Sequence, residues 1–336
     1  MKCILIICLS LASFCSYAWQ ADLKKEIQKI DQRFNGEIGI VVKNLKDGSR
    51  LEYNADKRWY LSSTIKVLVA ISLMEEIEAE KIRLNQKITL EERHFVDGAG
   101  PLLWSEPGAK FSVEYLLEAM LRESDNTATD ILIGLIGIDE INRDIKKWMP
   151  ESGEITSLLE VRYLAYSELH PKARSLNNMD FVLIKNKPLS ERHIAFAEKI
   201  RVPHESLKAK DLEEAHEKYY GQGFNSASLQ SYVTLLEKLE NGKLLSEKSS
   251  QLILDHMEKM KTGEHRLKAG LPSEITFIQK TGTQIHRACN VGLIRENEKK
   301  TSNFAVAVCI KKSSESVESD EIFKAVAQKL PVSTSI

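Results

Sequence analysis

Apolar residues recur at helical spacing in "ADLKKEIQKIDQRF" (21–34), which predicts a surface helix. The pattern then turns strand-like: "EIGIVVKNLKDGSRLEYNAD" (37–56) predicts two strands joined at Asp47-Gly48, a dipeptide suited to tight hairpin turns. From Ser63 to about Ile82 the spacing is helical again, and "VEYLLEAMLRESDNTATDILIGLIG" (113–137) predicts two helical runs meeting at Ser124. Near the C-terminus "EITFIQKTGT", "CNVGLIRE" and "NFAVAVCIKK" are rich in β-branched residues and separated by turn-like segments. The amphipathic "ESDEIFKAVAQKL" closes the pattern. Residues 172–225 are highly charged and break into short pieces, so no element is assigned there.

Strands at both ends with helices between them imply that the two ends pair into one sheet. The expected fold class is therefore α+β: an antiparallel sheet flanked by terminal helices, plus an all-helical lobe. The sheet lobe is expected from 22–60 and 270–332 and the helical lobe from 61–269, together one domain over 19–336. Composition agrees with a folded globular chain: 336 residues with 43% hydrophobic content suffice for a sizeable core.

The first stretch, "MKCILIICLSLASFCSYA", has one lysine, an apolar run and small residues at Ser16 and Ala18. That layout predicts a signal peptide over 1–18, cleaved after Ala18, and a secreted or periplasmic protein. The apolar run from Cys3 to Phe14 is too short to span about 30 Å of hydrocarbon, so no membrane span is expected in the mature chain. Charges nearly cancel, 47 Lys+Arg against 48 Asp+Glu, which excludes a nucleic-acid footprint. Removal of the leader would leave Cys289 and Cys309, flanking the charged turn "RENEKKTS". They are either a disulfide across a hairpin or two buried thiols. Eight histidines are scattered without ligand spacing, so neither a metal site nor another cofactor is expected. The glycine pairs 98/100 and 221/223 lack the strand-to-helix context of a phosphate loop.

The candidate chemistry starts in "YLSSTIKVLVA" (60–70). Ser63 stands where a helix begins, near backbone N–H groups and the positive end of the helix dipole, and Lys66 lies three residues on, on the same face. Serine is a poor nucleophile near neutral pH, and a lysine with a lowered pKa can take its proton. Alone this spacing is weak, since such a serine is more often a helix cap. Two further stretches strengthen it: "ESDNTATD" places Ser124, Asp125 and Asn126 at a helix junction, and "QKTGTQ" places Lys280, Thr281, Gly282 and Thr283 on a late strand.

S-x-x-K, S-D-N and K-T-G in that order resemble the signature of the class A β-lactamases and penicillin-binding proteins. The resemblance covers most of residues 22–330. It implies that Ser63 attacks the carbonyl of a β-lactam or an acyl-D-Ala-D-Ala-like amide, with Lys66 as proton acceptor and Ser124 passing a proton to the leaving nitrogen. It also implies that Lys280, Thr281 and Thr283 hold the substrate carboxylate, that the N–H groups of Ser63 and Thr283 form the oxyanion hole, and that Asn126 donates to the substrate's amide. Gly282 is expected to leave room for substrate along the strand edge, and Asp125 to tie its loop together.

One part of the family pattern is missing. No E-x-x-L-N motif occurs, so the water-activating glutamate must be sought elsewhere. Family loops resemble an order of arginine, glutamate, aspartate with the outer two paired, which Arg162, Glu168 and Asp180 reproduce. Glu168 is therefore the expected base, with Glu160 as the rival. Trp104 and Tyr166 are candidates for the cleft lining and Arg287 for carboxylate binding. The expected function is hydrolysis of β-lactams by a monomeric serine enzyme. The alternatives are a D-alanyl-D-alanine peptidase acting on peptidoglycan peptides and a non-catalytic cell-wall binding protein.

Overall fold

In the computed structural model of the protein, residues 19–296, 301–312, 318–330 and 332 are described. The expected leader at 1–18 lies outside them. A first helix, α1 (19–31), leads into the hairpin β1 (Gly36–Asn44) and β2 (Arg50–Tyr53), with Gly48 at φ +74° in the turn that the Asp-Gly pair specifies. β3 (Arg58–Tyr60) is followed by a one-turn 3₁₀ helix at Ser62–Thr64 and by α2 (Ile65–Glu78). Ten consecutive residues of α2, Ile65 to Met74, are buried, so this helix runs through the core. It stops short of Ile82, because Glu80 turns the chain into the left-handed region at φ +59°.

A small ladder of β4 (Lys87–Thr89) and β5 (Lys110–Ser112) precedes α3 (Val113–Arg122), α4 (Asn126–Ile136), α5 (Ile138–Trp148) and α6 (Leu158–Ser167). The charged stretch that the pattern left unassigned holds α7 (Asn178–Lys185), α8 (Arg192–Lys199) and α9 (Leu212–Gly221). These three short helices bury Phe181, Phe196 and Leu212 against Tyr166 in a cluster of their own. Their apolar anchors are separated by charged residues and 3₁₀ turns, which hides the helical period in the sequence. β6 (Ser226–Ser228) returns to pair with β3, and α10 (Leu229–Glu240), α11 (Glu247–Glu258) and the single turn α12 (Leu267–Gly270) follow.

The final elements are β7 (Ile275–Gln284), β8 (Arg287–Glu296), β9 (Phe304–Lys312) and α13 (Glu318–Ala327). Four long strands and the short β2 form one antiparallel sheet in the order β2-β1-β9-β8-β7, so the first and last parts of the chain do pair. The period of two sorts the side chains: Ile38, Ile40 and Val42 face Leu23, Ile27 and Phe323 of the terminal helices, whereas Val41, Val291 and Leu293 face the core built around α2. Cys289 and Cys309 are register partners on β8 and β9 and form a disulfide, which settles the open pairing. Among the described residues no helix is long and apolar enough to cross a membrane.

Candidate active site

The sheet order leaves β7 at an edge, and it is there that the helical part closes against it. A Cβ on Gly282 would stand 2.6 Å from the Leu61 carbonyl oxygen and 3.0 Å from the Ser63 nitrogen. Gly282 therefore makes room for the backbone of the Ser62–Thr64 turn rather than for substrate along the strand. On the other side the turn is held by Tyr232, whose hydroxyl donates to the Thr64 carbonyl at 2.8 Å. Thr64 itself ties back to the Leu61 carbonyl through its hydroxyl, at 2.7 Å. Ser62 adopts φ +49°, a sparsely populated conformation for a non-glycine residue that the surrounding contacts impose. The outcome is that Ser63, partly exposed, faces a cleft of about 540 Å³.

Lys66 follows one turn into α2 and is completely buried. Its Nζ donates to Asn126 Oδ1 at 2.8 Å and to Ser124 Oγ at 3.1 Å, and also to the Ser124 carbonyl. Ser124 sits at the α3–α4 junction with φ +57°, held there because Asp125 caps α4 through the Ala128 N–H (2.7 Å) and anchors the Leu102 N–H (2.8 Å). Asp125 thus ties the loop, as expected. From β7, Lys280 Nζ donates to the same Ser124 Oγ at 2.9 Å and to the Thr281 carbonyl at 3.0 Å. One hydroxyl oxygen accepts from two amines, which leaves its proton for a third group. Burial pushes Lys66 down to about 7, against the pull of Asp125 and Asp130. Burial, then the charges of Lys66 and Arg266, pushes Lys280 well below the usual lysine range. Lys66 can therefore accept and give up a proton near neutral pH.

The facing wall is α6. Asp130, partly buried, accepts from the Leu158 and Leu159 N–H groups at 2.7 and 2.8 Å and so fixes the N-terminus of this helix; desolvation pushes its own carboxyl up to about 6. The helix presents Leu158, Val161 and Arg162 to the cleft. Arg162 is paired with Asp97, Nε to Oδ1 at 2.5 Å, and Asn126 Nδ2 donates to the Asp97 carbonyl at 2.7 Å. The expected partnership of Arg162 with Asp180 is therefore replaced, because Asp97 lies nearer and Asp180 pairs with Lys199 at 2.7 Å. Glu168 caps the end of α6 and accepts from Gln222 Nε2 at 2.6 Å; Glu160 forms an ion pair with Arg174 on the surface. Neither carboxylate lines the cleft with Ser63.

The remaining expected residues divide. Thr283 lines the cleft, but Thr281 turns its hydroxyl to that of Thr262 at 2.8 Å. Arg287 is only 7% exposed, pairs with Glu217 at 2.8 Å and stacks 4.5 Å over Tyr220, in a separate cavity. Tyr166 is core, packed on Phe181 and Phe196, and Trp104 projects into solvent at 78% exposure. The pattern also missed Arg266, which binds the Gly282 carbonyl (3.1 Å), the Cys289 carbonyl (3.0 Å) and Thr283 Oγ1 (2.7 Å) while resting on Asp320. No fixed spacing connects it to K-T-G, so only the folded chain reveals it. Among the described residues no cluster of three or more histidine, cysteine or acidic side chains could hold a metal.

Comparison with known proteins gives a consistent assignment. A family profile described as the beta-lactamase enzyme family matches residues 22–331. The chain is 30% identical to beta-lactamase SME-1 of Serratia marcescens, over 38% of this chain and 43% of that protein. It is 26% identical to VEB-1 of Pseudomonas aeruginosa, over 84% of this chain and 79% of the relative. The first of these matches thus spans less than half of the relative's length. Among solved structures, PBP-A superposes with a TM-score of 0.67 at 21% identity, covering 92% of this chain and 94% of that one. A β-lactamase from Xanthomonas campestris superposes with a TM-score of 0.69 at 18% identity, covering 93% and 97%. At such identities the two structures establish the fold, and the extent of the family match establishes kinship: the chain belongs to the beta-lactamase enzyme family.

Proposed function

We propose that this protein is an exported serine hydrolase that is acylated at Ser63 by β-lactams or by acyl-D-Ala-D-Ala-like amides and releases the acyl group slowly. The observation that carries the reading is the relay of two buried lysines on Ser124 Oγ, which Lys66 ties to Asn126, a residue that lines the same cleft as Ser63. Ser63 Oγ forms a bond to the substrate carbonyl carbon while its proton passes to the neutral amine of Lys66. The C–N bond then breaks, the leaving nitrogen takes a proton from Ser124 Oγ, and a lysine replaces it. The N–H groups of Ser63 and Thr283 serve the oxyanion, where one donor is worth about 3 kcal/mol. Thr283, with the Arg266 guanidinium on its hydroxyl, receives the substrate carboxylate.

Slow release follows from the wall. Water attack on an ester needs a general base, and the described residues lining the cleft include no carboxylate. This favours the penicillin-binding peptidase over rapid β-lactam hydrolysis. A lasting export route fits the leader pattern at 1–18 and the Cys289–Cys309 disulfide, since disulfides persist in oxidising compartments.

The test is intact-protein mass spectrometry during incubation with benzylpenicillin, with absorbance of a chromogenic cephalosporin followed in parallel. A persistent adduct on the wild type, absent in Ser63→Ala, is expected. Labelling of the alanine variant would overturn the nucleophile, and sustained turnover with only transient adduct would make the protein a working β-lactamase instead.

A further inference from the structure

The charge of the cleft is one-sided. Its described lining holds no aspartate or glutamate but three cations, Arg162, Lys185 and Arg192. Arg162 is balanced by Asp97 just behind it. Arg192 differs: its Nε donates to the Lys187 carbonyl at 2.9 Å, and its two terminal nitrogens make no hydrogen bond or ion pair with any described residue. The residue is held in place, because Phe196, one turn further along α8, is fully buried against Tyr166 and beside Ile285 at the end of β7. Behind the rim, His216 is pushed down to about 3, by burial first and with added repulsion from Arg162, Lys185 and Arg192, so it stays neutral. All three cations therefore act on one small region.

A half-buried guanidinium with two free donors in an acid-free cleft is arranged to bind a carboxylate in a forked geometry. The carboxylate beside the scissile bond already has Thr283 and Arg266. Arg192 is brought to the cleft by α8 and Thr283 by β7, so the two cationic centres sit on different elements and the counter-ion of Arg192 is assigned to the other limb of the substrate. We propose that Arg192 is a specificity-determining residue that selects substrates whose acyl side chain carries a second carboxylate. The inference rests on the acyl-enzyme reading of Ser63 and narrows its substrate class to acyl groups of acidic character, an acidic peptide stem or an acidic penicillin.

The experiment compares second-order rates of Ser63 acylation by benzylpenicillin, by carbenicillin, which adds one side-chain carboxylate, and by glutaryl-6-aminopenicillanic acid, whose carboxylate lies further out. Wild-type protein should prefer at least one of the acidic penicillins. Arg192→Gln should lower that ratio of rates about tenfold, Arg192→Lys should keep part of it, and added sodium chloride should erode it in the wild type more than in the glutamine variant. A wild type without preference, a ratio unchanged in Arg192→Gln, or an equal loss on all three penicillins would overturn the assignment. If benzylpenicillin neither leaves an adduct on wild type nor is turned over, the acyl-enzyme reading itself fails and this inference with it.

Discussion

At the scale of single residues, the site is governed by how deeply its amines are buried. Lys66 has an ordinary value of 10.5 and is brought to about 7 mainly by loss of solvent. Acylation should therefore rise with pH through about 7 as the neutral amine appears, and Lys66→Arg should lose it by a factor on the order of 10² or more, because a guanidinium does not give up its proton. Rates of adduct formation between pH 5.5 and 9 measure both. The same shift has a stability consequence of definite sign. Between about 7 and 10.5 the unfolded chain binds the extra proton, so stability rises with pH across that window and levels off below about 7, where both states hold the proton. Urea unfolding of Lys66→Met should lack that slope. Ser63, Lys66, Ser124 and Lys280 were all legible in the sequence, because S-x-x-K, S-D-N and K-T-G are local patterns. Arg266, Asp97 and Asp130 were not, since each reaches the site from an element with no sequence spacing to the residue it serves.

At the scale of elements, the site is a contact between an edge strand and a helix start. Gly282→Ala would press a methyl against the Leu61 carbonyl, so β7 and the Ser62–Thr64 turn must separate. The expected result is a loss of roughly 2 kcal/mol in urea unfolding together with acylation at least about tenfold slower; an alanine variant as stable and as reactive as wild type would refute the close approach. α6 allows the complementary test. Leu158 faces the cleft at a helix N-terminus fixed by Asp130. Leu158→Glu should supply the missing base and shorten the life of the penicillin adduct by about 10², read as decay of the adduct mass. An adduct as persistent as before would mean that slow release has another origin. The two glutamates favoured by the sequence lie on the same helix but on its outer side, where Gln222 and Arg174 take them. Their order along the chain was readable, but the face each occupies was not, because an irregular loop precedes α6 and sets its rotation.

At the scale of the whole molecule, the antiparallel sheet is closed by the two ends of the chain, and the disulfide crosses β8 and β9 within it. With a sequence separation of 20 between the cysteines, the bond should contribute about 3 kcal/mol by restricting the unfolded chain. Urea denaturation of the Cys289→Ala, Cys309→Ala double variant should show that loss, and a change under about 1 kcal/mol would count against it. Strands at both ends, the core helix after Ser63 and the helix junction at Ser124 could be read from the sequence, because period, turn chemistry and motif order are local properties written in consecutive residues. The short β3–β6 ladder, the three helices over 178–221 and the acid-free described lining of the cleft could not. The sequence by itself determined the three motifs that supply the candidate nucleophile and its candidate proton relay. Tertiary structure alone decided which charges surround them, since burial and ion pairing depend on segments far apart in the chain meeting in space.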